Sequence, residues 1–156
     1  GGHGESMAPF ASSVMIQGTP LTSLIGTDKL TAEQWEEIKQ KTIQGGSNII
    51  KLRGRSSFQS PAYVSVRMIE AAMGGAEFQW PAGRYVSFAG IDHIMMAMEV
   101  TITEKGSAYE EVVGNEEEMA ALQKSYEHVA AMLDECISLG IIPAISEWST
   151  LNPNLK

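Results

Sequence analysis

The chain has 156 residues, 44% of them apolar and 19% charged, which excludes a disordered tract and suits one domain with a real core. Eleven basic against 19 acidic residues leave a net charge of −8, which excludes a nucleic-acid or anionic-membrane surface built on clustered Lys and Arg. No apolar run reaches the roughly 18 residues of a membrane span, and one cysteine, Cys136, rules out an internal disulfide and fits a reducing, cytoplasmic compartment.

Gly1 to Gly4 form a glycine loop around His3. The absence of an initial methionine reads as a piece of a longer protein, or as residues introduced ahead of one. Ser13 to Gln17 is a short apolar run with strand character, ended by Gly18-Thr19-Pro20. Thr27 to Gln44 reads as a helix: Thr31 and Gln34 make a capping box, and Trp35, Ile38, Thr42 and Ile43 share a face. Gly45-Gly46 interrupts the pattern before a second short helix through Ile49, Ile50 and Leu52. Ser60 to Met73 reads as a helix with Ser60 as cap, Pro61 in the first position and Gly74-Gly75 as stop, its apolar stripe being Tyr63, Val66, Ile69 and Met73.

The period then changes. Tyr85 to Phe88 alternates, as do Ile94, Met96, Met98, Val100 and Ile102, and Tyr109 to Val113 gives a third short strand. Period-two runs of this kind predict an antiparallel meander with one buried face. Asn115 and Glu118 cap a long helix whose stripe runs Met119, Leu122, Tyr126, Val129, Leu133 and Cys136 and which stops at Gly140. Ile141 to Lys156 has two prolines and no clear period. The expected fold is one α+β domain over residues 1–156, with antiparallel strands and helices packed on them.

His3 is the foremost candidate for chemistry, because an imidazole both takes and gives a proton near neutral pH, and the bare glycines beside it admit a ligand close to the backbone. The bland alternative is a solvated histidine in a glycine loop, the chain then being a non-enzymatic helical interaction domain. His3 and Glu5 are only two ligands, too few for a structural zinc, so no metal is expected. His93 reads as a turn residue, His128 as solvated and Cys136 as a small core residue. The methionines around Met96 read as adaptable packing. Arg53 and Arg55 suit an anion, or surface and inter-subunit pairing. Glu116 to Glu118 sit where a helix N-terminus favours negative charge.

Gly-Gly-His3-Gly4-Glu5-Ser-Met-Ala-Pro9 resembles the catalytic-histidine loop of the lactate/malate dehydrogenases, with its His-Gly pair, an acidic residue next and a proline six residues on. The segment Lys51-Leu-Arg53-Gly54-Arg55-Ser56-Ser57-Phe58 ahead of Pro61-Ala62, the meander and the long helix follow in that family's order, so the likeness covers about Gly1 to Gly140. Its Arg53-Gly54-Arg55 turn is most similar to bacterial NAD-dependent malate dehydrogenases, and Ser56-Ser57-Phe58-Gln59-Ser60-Pro61-Ala62 looks more like the malate type than the lactate type, a lactate (2-hydroxy acid) dehydrogenase of the same family being the alternative. The resemblance implies several expectations. His3 is the proton acceptor and donor in the interconversion of malate and oxaloacetate. Ser56 or Ser57 lines the substrate pocket. NAD is bound mainly by an N-terminal Rossmann domain, whose Gly-x-Gly-x-x-Gly loop this chain lacks. The aspartate that orients the histidine and the arginines that clamp the dicarboxylate are expected upstream. It implies too a homo-oligomer, dimer or tetramer, with the faces near Trp35 and Tyr63 as candidate contacts, and no activity for the chain alone.

Overall fold

A computed structural model describes residues 1–88 and 90–154, with backbone only at positions 88 and 91. The architecture is α+β, as the sequence predicts. A three-stranded antiparallel sheet in the order β3-β4-β5 forms the floor, from β3 (Phe78–Phe88), β4 (Ile91–Thr103) and β5 (Gly106–Tyr109). The helix α4 (Glu116–Ser138) packs on its buried face. Ahead of the sheet come a small hairpin, β1 (Met15–Ile16) with β2 (Thr19–Pro20), and three helices: α1 (Ala32–Ile43), α2 (Gly45–Arg53) and α3 (Gln59–Ala72). Among the described residues no helix is long and apolar enough to cross a membrane.

The period-two reading of β4 holds. Ile94, Met96, Met98 and Val100 are 2–3% exposed, while Met95 between them is 58% exposed. These four join Val86 and Leu122 as the core, with Met119, Tyr126 and Val129 packed against it. Each fully buried side chain of this size contributes about 1.5–3 kcal/mol. Strand β3 starts well before the predicted Tyr85, because Pro81 and Gly83 hide its alternation. Pro81 has no N–H for a ladder, but β3 pairs only with β4 and so is an edge strand, where proline is tolerated. The Phe88 end of the predicted alternation lies outside the described side chains. The third strand occupies Gly106–Tyr109 rather than Tyr109 to Val113, since its ladder on β4 ends where Tyr109 meets Val100.

Both capping boxes form. Thr31 with Gln34 starts α1, later than the predicted Thr27, and Asn115 with Glu118 starts α4. The expected interruption falls at Gln44, Gly45-Gly46 opens the second helix α2, and Gly54, with φ +70°, ends it in the left-handed region that favours glycine. The cap predicted at Ser60 is not made: Phe58 is the N-cap of α3, without a side-chain bond. Pro61 therefore falls in the third helical position, where an N–H would still lack a helical acceptor. The run predicted as a strand over residues 13–17 pairs only through Met15 and Ile16, returning through a tight turn at Gln17 and Gly18, both at positive φ. The aperiodic tail contains a short helix, α5 (Ile145–Leu151), and its last residues, 155 and 156, lie outside the description.

Candidate functional site

The chain enters along the free edge of β4. Gly1 and Ala97 exchange both backbone hydrogen bonds, at 2.6 and 2.7 Å, the pattern of a hydrogen-bonded antiparallel pair. The N–H of Gly2 then donates to Ser125 Oγ at 2.6 Å, a hydroxyl buried on α4. Glycine is required by space here. A Cβ on Gly1 would stand 2.5 Å from Ser125 Oγ, and one on Gly2 3.2 Å from Val129 Cγ2. The backbone is thus wedged between sheet and helix just before His3.

His3 follows as the extended N-cap of a single 3₁₀ turn over Gly4–Ser6, with Gly4 at φ +66° and Ser6 Oγ donating to the His3 carbonyl at 3.0 Å. Its side chain is exposed. Among the described residues nothing hydrogen-bonds to the imidazole, so both ring nitrogens are open to a substrate. The ring lies beside the first turn of α2, where a Cβ on Gly46 would stand 3.6 Å from its Cε1.

Past the turn, Ala11 and Ser12 are tied down by Glu118. Its Oε1 accepts from the N–H of Ala11 (2.7 Å) and of Ser12 (3.0 Å), and its Oε2 accepts from Ser12 Oγ (2.5 Å) and the N–H of Asn115 (2.9 Å). Burial, the largest influence on this carboxyl, pushes its pKa up, but the four hydrogen bonds together outweigh it and hold the pKa below the usual value. Glu118 and Ser125 are the buried polar residues of α4, at 8% and 3% exposed, with Leu122 between them. Positions 118, 122 and 125 recur at helical spacing, so one face of α4 clamps the His3 loop at both ends. Glu118 was legible from sequence only as a cap. Ser125 enters the sequence reading only within Leu122-Gln-Lys-Ser125, as part of the family likeness of the long helix, with nothing to mark its hydroxyl as an acceptor for Gly2.

Ser56 and Ser57 lie in the link between α2 and α3, Ser56 exposed and Ser57 half-buried. Among the described residues no hydrogen bond joins either to His3. The common element is α2, which carries Gly46 beside the ring and delivers the serines past Gly54. Arg53 and Arg55 both stack on Phe58, and Arg53 donates to Gln59 Oε1 at 3.1 Å, which fits a surface role. His128 is exposed, as expected. Two cavities lie elsewhere: one of about 570 Å³ under α5, and one of about 460 Å³ between Trp35, Lys39 and the start of α4. Neither is lined by His3, Ser56 or Ser57.

Residues 1–139 match the family model described as lactate/malate dehydrogenase, alpha/beta C-terminal domain. The fold is shared with solved structures. Malate dehydrogenase from Salinibacter ruber is 29% identical with a TM-score of 0.75, over 89% of this chain and 45% of that one. Malate dehydrogenase from Cryptosporidium parvum is 28% identical with a TM-score of 0.78, over 88% and 45%. Lactate dehydrogenase from the same organism, complexed with lactic acid and NAD, is 29% identical with a TM-score of 0.75, over 84% and 42%. The chain spans less than half the length of these structures.

Proposed function

The chain belongs to the lactate/malate dehydrogenase family, as its C-terminal α/β domain, and from that membership we propose that it is the substrate-handling part of an NAD-dependent malate dehydrogenase, with His3 as its proton acceptor and donor. The observation that carries the proposal is the His3 loop, held rigidly by β4 and α4 while its imidazole stays open. In the oxidative direction His3 accepts the hydroxyl proton of a 2-hydroxy acid as the carbonyl forms. In reverse it returns a proton to the ketone oxygen. A placed acid–base group is worth about 10²–10⁴ in rate. Ser57, half-buried after α2, suits the pocket wall better than the more exposed Ser56.

The described residues do not fit a dinucleotide. The sheet is antiparallel, without a strand–glycine-turn–helix unit, and the glycines opening α2 follow a helix and carry His3 beside them. NAD, which supplies the hydride exchange when bound, is therefore assigned to the rest of the enzyme. So are the aspartate that orients His3 and the arginines that clamp the substrate. The apolar stripe of α3 supports assembly with further protein: Tyr63, Val66, Ile69 and Met73 are 58–82% exposed. A patch of this kind marks an interface, here with a second copy or with the remainder of the enzyme. Trp35 is instead half-buried and lines a cavity.

The test is NADH oxidation by the complete enzyme with oxaloacetate and pyruvate side by side, and by the 156-residue chain alone. The expected result is strong preference for oxaloacetate by the enzyme and no turnover by the chain. Preference for pyruvate would move the chain to the lactate branch. Turnover of neither would remove the dehydrogenase reading.

A further inference from the structure

We propose that the cavity between β4, α4 and the C-terminal tail is a binding site for an uncharged, largely apolar small molecule bearing one carbonyl-type oxygen, which His93 anchors. The cavity measures about 570 Å³, within the range of small-molecule pockets. Leu133 and Met132 of α4 wall one side, and Pro143, Trp148 and Leu151 of the tail the other. Residues 142–152 lie beyond the segment 1–139 that matches the family.

The chemistry of the lining selects the ligand. Among the described residues no lysine, arginine, aspartate or glutamate borders the cavity. An ionised ligand would bury its charge without a fixed counter-charge, which is costly. Trp148 gives its own N–H to the Pro143 carbonyl at 2.9 Å, so the indole offers the cavity only apolar surface. Asn152 spends its carbonyl on the N–H of Asn154 at 3.1 Å.

His93 is the fixed polar group. Its backbone has φ +62°, in the left-handed region that is strained for most residues other than glycine. Such strain persists where the surroundings enforce it, and here Tyr85 contributes: its hydroxyl is hydrogen-bonded to His93 Nδ1 across the β3–β4 hairpin. With the hydroxyl donating, the ring proton sits on Nε2, which has no partner among the described residues. A pinned ring bordering an apolar cavity, with one open N–H, selects a ligand carrying a hydrogen-bond acceptor on an apolar body. Cys136 also lines the cavity, half-buried.

The probe is 6-propionyl-2-(dimethylamino)naphthalene, an uncharged aromatic ketone whose emission shifts to the blue on leaving water, titrated into the full chain. The expected result is a saturable blue shift at one equivalent. Leu133→Trp, whose larger ring intrudes into the cavity, should weaken it. His93→Asn, which tolerates the left-handed backbone but lacks the ring donor, should weaken affinity about tenfold. Circular dichroism verifies the fold of each variant. No saturable shift with the wild-type chain overturns the proposal, as does a dimer whose formation Leu133→Trp prevents, since a second copy would then fill the cavity. Affinity unchanged in His93→Asn overturns it whatever Leu133→Trp does.

Discussion

Replacing His3 by glutamine is expected to lower kcat/KM of the complete enzyme for oxaloacetate at least ~10²-fold while leaving its melting temperature nearly unchanged. The two halves of that expectation have separate physical origins. The loss follows from removing the group that exchanges the substrate proton, which an amide cannot do. The unchanged stability follows from how the loop is held. Gly1 is tied to Ala97, Gly2 to Ser125, and Ala11 and Ser12 to Glu118, all through groups that the substitution leaves in place. The imidazole is exposed, and His3 contributes only its carbonyl, which accepts from Ser6 Oγ. Activity assays and thermal melts on the same preparation check both. A large fall in melting temperature would mean that His3 has a packing role.

Glu118→Ala should have the largest effect on stability, about 3 kcal/mol, or roughly 10 °C in Tm for a domain of this size. It strips four hydrogen bonds from one buried carboxylate and leaves the Ala11 N–H buried without an acceptor. Unlike His3→Gln, it frees the exit of the catalytic-histidine loop, so activity should fall through misplacement of the histidine. The same carboxylate gives a pH dependence. Its folded pKa lies below the ordinary value, so its contribution is complete above the unfolded glutamate's pKa of about 4.3 and is lost as pH falls through the lowered folded value. Thermal melts from pH 7 to pH 3 should show this loss in wild type and a shallower decline in Glu118→Gln. Equal slopes would contradict the role given to the charge.

Much of this fold was legible because its signals are local. Thr31 with Gln34 and Asn115 with Glu118 are complete within three residues, and the alternation from Ile94 to Val100 needs only one buried face. The departures come from tertiary context. The proline in β3 breaks a strand pattern only if the strand is internal, and sequence does not reveal that β3 is an edge. The α5 helix is short and bounded by prolines, too brief for a periodic signal. The stripe of α3 was correctly read as apolar, yet it faces outward here, since a period of 3.6 fixes which residues share a face but not what covers it.

At the site, His3 is proposed from its residue type and its family-like surroundings. What holds it was not, because Ser125 and Glu118 lie more than 100 residues away in sequence and act on backbone groups that carry no side-chain signature. The pairing of Tyr85 with His93 was missed for a similar reason: it depends on a hairpin register that the irregular β3 conceals.

On the proposed function one imidazole, His3, moves the substrate proton in both directions. The most direct test is the pH dependence of kcat/KM for the complete enzyme in each direction, for wild type and His3→Gln. Oxidation of the 2-hydroxy acid should fall as pH drops, because a protonated His3 cannot accept. Reduction of the oxo acid should fall as pH rises, because a neutral His3 has no proton to give. Both limbs should disappear in His3→Gln. Limbs that persist unchanged in the variant would contradict the claim and place the proton transfer on another group.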